Sequence, residues 1–153
     1  MNLGKENEYI EFKKSASLVK EGLQSVSAIL NKNGKGTLYF GVKDSGDVCG
    51  LQIGNDTLNK LSQELFNQIK PSFFYTVDLK NTAEGKSFIQ VDFNGLNTPY
   101  SAYGRYYLRF HDEDRIMDND LLRDFYLSKR KDYCHHQFYR IARPKQFHTG
   151  RIL

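Results

Sequence analysis

The sequence predicts an α+β fold, a mixed β-sheet of about five to six strands with two to three helices packed on it. Three observations predict it. Runs of β-rich residues alternate with period two at residues 8–14, 73–79, 88–93 and 105–110, and residues 37–42 are an apolar, β-rich run. Two longer stretches, near 17–33 and 55–70, instead space their apolar residues as a helix does. Clusters rich in Gly, Asn, Asp and Pro separate the runs, so each is an element of its own.

The elements follow in order. In residues 8–14, Glu8, Ile10 and Phe12 share one face of a strand and Tyr9, Glu11 and Lys13 the other. Val19, Leu23, Val26, Ile29 and Leu30 then form one helical stripe that covers a sheet, with Ser17 as N-cap and Asn33-Gly34 as the stop. Thr37 to Val42 is a strand, "DSGD" at 44–47 a turn, and Val48 to Ile53 a returning strand. Asn55 or Asp56 caps a second helix through about Lys70, with Leu58, Leu61, Leu65 and Ile69 on one face, and Pro71 ends it. Phe73–Leu79 and Phe88–Phe93 form a hairpin across "KNTAEGK". "GLNTPYSAYG" reads as an irregular loop. Arg105–Phe110 is a strand with Arg105, Tyr107 and Arg109 on one face. Asp118 or Asn119 caps a last helix through about Lys129.

The chain has 153 residues, 39% of them hydrophobic and 14% aromatic, enough for one domain with a real core. The domain is expected over residues 3–130. The net charge of +4 sits in a basic tail, residues 131–153, where Lys131, Arg140, Arg143, Lys145 and Arg151 face Asp132 alone. Such a tail suits a nucleic-acid or acidic partner, or is simply solvated. Two cysteines, Cys49 and Cys134, do not make a disulfide scaffold, so a reducing cytoplasm is expected. No apolar run is long enough for a membrane span, and no signal core opens the chain. Neither G-x-x-x-x-G-K-[ST] nor G-x-G-x-x-G occurs. Cys134, His135, His136 and His148 fit no structural zinc spacing.

"ENEYIEFK" at 6–13, a helix ending "SAILNKNGKG", the strand "TLYFGVKD" with Gly46 behind it, and "PYSAYGRYYLRF" occur together and in order. In that combination the chain resembles the Schlafen/AlbA-like DNA-binding domain family over about residues 3–130. It departs from many relatives in having "KNGKG" where they carry consecutive glycines. The resemblance implies a nucleic-acid-binding module, DNA or RNA, of the kind that stands at the N-terminus of transcriptional regulators and helicase-related proteins. The ATP-binding label attached to some relatives has no motif here. Some Schlafen relatives are Mg- or Mn-dependent endoribonucleases, and by position their acids correspond to Glu6, Glu11 and Asp44, although Lys43 competes for the last position. A scaffold or oligomerisation domain, as a homodimer, is the third reading.

Two residue sets carry the chemistry. Three carboxylates repel one another unless a cation intervenes, and Mg²⁺ or Mn²⁺ would suit Glu6, Glu11 and Asp44 and a phosphodiester substrate. The plainer alternative is that Lys13, Lys14 and Lys43 pair with those acids in surface salt bridges, each contributing under about 1 kcal/mol. Lys13, Lys14, Lys43, Arg105 and Arg109, with Tyr107 to stack a base, are the expected nucleic-acid contacts, sequence-tolerant and salt-sensitive. A binder with no catalysis and no cofactor of its own is the first reading.

Overall fold

A computed structural model describes residues 1–128. Met1–Ile116 forms one compact unit and Met117–Leu153 a second. The basic tail expected at 131–153 and the end of the last predicted helix lie outside the described residues. In the second unit, residues 119–128 are helical, and the Asp118 side chain accepts from Leu121 N at 2.8 Å as an N-cap should.

The first unit runs β1 (Ile10–Lys13), a 3₁₀ turn (Ala16–Leu18), α1 (Val19–Asn33), β2 (Lys35–Phe40), α2 (Thr57–Gln68), β3 (Ile69–Lys70), β4 (Phe74–Asn81), β5 (Ser87–Asn94), β6 (Ser101–Ala102), β7 (Arg105–Phe110) and β8 (Glu113–Ile116). The α+β class and the mixed pairing are as expected. The strands divide into two sheets of four, ordered β1-β2-β5-β4 and β3-β6-β7-β8, with β1 parallel to β2 and the other pairs antiparallel.

α1 packs against β2 on one side and β7 on another. The predicted single apolar stripe therefore understates it. Gly22, Ser25, Ser27 and Ala28 are buried together with Leu23, Val26, Ile29 and Leu30, and a helix with small or apolar residues nearly all round is an interior helix. Its start also differs. Ser15, not Ser17, caps the 3₁₀ turn by accepting from Ser17 N, and α1 begins at Val19. Its end is as read: Gly34 adopts φ 78° and its amide bonds Leu30 O.

The main core joins α1 and α2 to one face of the first sheet through Leu38, Phe40, Ile89, Val91 and Phe93, and reaches Tyr100, Ala102 and Tyr107 of the second sheet's region. Each such side chain contributes about 1.5–3 kcal/mol by burial. A smaller cluster, Phe12, Val42, Val48 and Phe88, covers part of the opposite face.

Four local expectations are revised. Val48–Ile53 is no strand: only a Val42–Val48 bridge forms, Cys49 N and Gly50 N both bond Gly41 O, and Gly50 turns to φ 87°. The second helix stops at Gln68, because Ile69–Lys70 pairs with Ser101–Ala102. That same pairing makes part of "GLNTPYSAYG" a strand. β8 follows β7 across a tight turn in which His111 has φ 61°, although "EDRI" has no apolar alternation to announce it.

Candidate functional site

The site gathers where β1 ends. Lys13 O accepts from Gly41 N at 2.7 Å and from Val42 N at 3.2 Å, so the 41–50 loop folds against the strand's last residue. Gly41 is required there, since it has φ 96° and a Cβ would stand 2.8 Å from Leu51 Cγ. Cys49 Sγ reaches Lys14 O at 3.6 Å, and Lys86 Nζ reaches Val48 O at 3.5 Å. The loop thus brings Lys13, Lys14, Lys43 and Lys86 around one end of the first sheet. Lys14, Lys43 and Lys86 are exposed and form no ion pair among the described residues. Asp47, the loop's own acid, is engaged by Asn2 Nδ2 at 2.7 Å and by Ser45 Oγ, which hold it below the usual carboxylate range.

Behind the lysines lies a buried charge network. The face of β1 read as polar turns inward: Glu11 is buried on the helix side, paired in register with Leu38. Arg109 of β7 meets it. Its Nη2 stands 2.8 Å from Glu11 Oε1 and its Nη1 bonds Asp114 Oδ1 at 2.7 Å. Nη2 aims its hydrogens at Asn7 O and Ile10 O, each at 3.0 Å. Glu11 Oε1 therefore receives the guanidinium's charge without an aligned N–H donor. Glu11 Oε2 pairs with Lys13 Nζ at 3.0 Å. Ser25 Oγ of α1 donates to Asp114 Oδ2, which ties the helix into the same network. Burial alone would lower the Arg109 pKa, but Asp114 and Glu11 more than compensate and raise it, so the guanidinium is fixed as a cation.

Glu6 completes the acid side. Its Oε2 accepts from Phe12 N at 3.0 Å. Burial pushes its pKa up to about 7; the Phe12 amide opposes this, while a hydrogen bond to Glu11 and the charges of Glu11 and Asp44 add to it. Glu6 and Glu11 are thus neighbours. Asp44 acts on Glu6 through its charge and is exposed on the loop. The expected Mg²⁺ or Mn²⁺ ligand set does not fit this arrangement. Glu11 is already compensated by Arg109 and Lys13, Glu6 is committed to Phe12 N, and no three acidic, His or Cys side chains among the described residues are grouped to hold a metal.

The aromatic basic face expected on β7 does not form. Arg105 is exposed, but Tyr107 is buried in the main core and the Arg109 side chain is fully buried. Their face of β7 packs on α1, where Asn31 Nδ2 donates to Tyr107 O at 2.7 Å and to Tyr100 O at 2.9 Å, and Asn31 Oδ1 accepts from Tyr100 N. The sequence reading missed Asp114, Ser25 and Asn31. Only Asn31 carried a signal, its place in the helix-ending motif "SAILNKNGKG".

The chain belongs to the Schlafen, AlbA_2 family, which matches residues 6–118. No curated protein matches it. The DIP2311 protein of Corynebacterium diphtheriae is similar in structure, with a TM-score of 0.58 and 19% identity over 72% of this chain and 22% of that protein. This chain therefore spans about a fifth of that protein's length. The N-terminal domain of a RecG-related protein from Nitrosomonas europaea is also similar, with a TM-score of 0.45 and 22% identity over 57% of this chain and 63% of that one. Among the described residues no helix is long and apolar enough to cross a membrane.

Proposed function

We propose that this domain binds nucleic acid through phosphate contacts from Lys14, Lys43, Lys13 and Lys86, without catalysis of its own. One observation carries the reading. The 41–50 loop gathers these lysines at the end of β1, where Lys14, Lys43 and Lys86 form no ion pair among the described residues and Lys13 is held by Glu11, which Arg109 also neutralises. Cations without local partners suit a polyanion. Arg105, exposed on β7, is a secondary candidate contact; Arg109 and Tyr107 are interior.

Binding to single- or double-stranded nucleic acid should weaken with salt by about 0.7–0.9 log units per log unit of salt for each phosphate neutralised. Changing Lys14→Ala and Lys43→Ala together should lower that slope by about 1.4–1.8. No binding at low salt overturns the reading, as does a slope that the double variant leaves unchanged.

A Schlafen-type ribonuclease is the second reading; the adjacency of Glu6 and Glu11 favours it, and it requires Arg109 and Lys13 to yield Glu11 to a metal ion. It requires Mn²⁺- or Mg²⁺-dependent cleavage of a structured RNA that is lost in Glu6→Gln. Binding with no cleavage is the expected outcome.

A further inference from the structure

The first sheet has two edges, and they are finished differently. At β1 the edge is partly closed: Ile10 O accepts from Asn7 N and from Arg109 Nη2, and Phe12 N donates to Glu6 Oε2. At β4 they are open. Thr82 N bonds Lys86 O, continuing the β4–β5 register, so the even-numbered residues of β4 turn their amides toward β5. Tyr75, Val77, Leu79 and Asn81 turn theirs away, and none of those backbone groups meets a partner outside β5 among the described residues. The strand is eight residues long, contains no proline and has Tyr75, Val77 and Leu79 on its core-facing side. Its guards are the outward charges of Asp78 and Lys80; it has neither a proline nor an inward charge.

We propose that the protein forms a twofold-symmetric homodimer in which β4 pairs antiparallel with β4 of a second copy, centred on Val77. The register follows from the side chains. A dyad at Asp78 would set that carboxylate against itself, which is unfavourable. A dyad at Leu79 would leave the start of the strand unpaired. Centring on Val77 uses nearly the whole strand and sets Lys80 opposite Phe74, Asp78 opposite Thr76, and Leu79 opposite Tyr75. Each pairing answers an exposed group: the Phe74 ring is 76% exposed and Leu79 is 40% exposed. Lys80 over Phe74 is a cation–π pair.

A hollow of about 300 Å³ beside the edge receives the same contact. It is lined by Asn59, Ser62, Gln63, Phe66, Asn67 and Tyr75, and Phe66 is 61% exposed. Tyr75 OH bonds Ser62 O at 3.2 Å, which fixes the hollow's wall against α2. Leu79 of the second copy, opposite Tyr75, lies at its mouth. Asp78 meets its own symmetry mate only diagonally, about 7–8 Å away, and Lys80 two residues along the same face offsets it. The result is one continuous eight-stranded sheet, with the exposed backbone groups satisfied.

Sedimentation of the full chain across the micromolar range tests this. The weight-average mass should rise from one chain to two. Val77→Pro removes an outward amide and no bond to β5, and should stay at one chain mass throughout. Leu79→Lys, which keeps the backbone intact, should weaken association at least tenfold. In a Cys49→Ser, Cys134→Ser background, Val77→Cys should cross-link on oxidation, because opposed residues in such a pair lie about 5.5 Å apart at Cα, within disulfide reach. Asp78→Cys should cross-link far less. A single-chain mass at every concentration overturns the proposal and leaves the edge to a strand from a different protein. A dimer that both Val77→Pro and Leu79→Lys leave intact also overturns it.

Discussion

Lys13–Lys14 on β1 and Arg105–Arg109 on β7 read alike in the sequence, each a cationic pair on a strand beside aromatic residues. In the fold they part. Lys14 stands in solvent at the end of a strand, with a glycine-bearing loop folded beside it. Arg109 is wholly enclosed, bonded to Asn7 O, Ile10 O and Asp114 and ion-paired to Glu11. The difference teaches that a cation's role follows from what its strand packs on. β7 packs on an interior helix, so its cation had to be neutralised and saturated with acceptors to be tolerated. At the end of β1 no element covers Lys14, so its charge remains available.

The sharpest way to break this contrast is Arg109→Ala. It strands Glu11 and Asp114 without their shared cation and leaves two carbonyls short of a donor, so urea unfolding should show a loss of about 3–5 kcal/mol. A loss under about 1 kcal/mol would mean that the network is not structural. Asn31→Ala comes next. It removes three buried hydrogen bonds between α1 and the Tyr100–Tyr107 region and should cost about 2–4 kcal/mol in the same measurement.

A smaller effect depends on pH. Glu6 has a folded pKa of about 7 against an ordinary 4.5, so the folded state holds the proton more tightly than the unfolded one. Its stabilising protonation is fully present below about pH 4.5 and is lost as pH rises through 7. Because Glu6 is only half-buried, the loss is about 1–2 kcal/mol after solvent screening. Glu6→Gln should flatten the decline, so thermal melts between pH 5 and 8 should show the variant gaining on the wild type as pH rises. Parallel curves would count against the Glu6–Glu11 pairing. The smallest stability effect belongs to Lys14→Ala and Lys43→Ala, within about 0.5 kcal/mol, even as the same changes weaken polyanion binding. Together with Arg109→Ala they separate cations that hold the fold from cations that face a partner.

Much of the architecture was legible because local patterns carry it. The spacing of Leu23, Val26 and Leu30 and the stop at Gly34 gave α1, and the alternation in Phe74–Leu79 and Phe88–Phe93 gave the β4–β5 hairpin. Lys14 and Lys43 as candidate contacts were named from the sequence, and both are exposed. The sequence by itself determined the α+β class, the principal helices and strands, and the family through its ordered motifs. Only the tertiary structure decided that the strands split into two sheets with α1 between β2 and β7, that Glu11 faces inward, and that Arg109 is core. Those outcomes rest on pairings between residues about a hundred positions apart, such as Glu11 with Arg109 and Ser25 with Asp114. Periodicity reports which residues share a face of one element; which other element that face meets is set by long-range packing, which no local window contains.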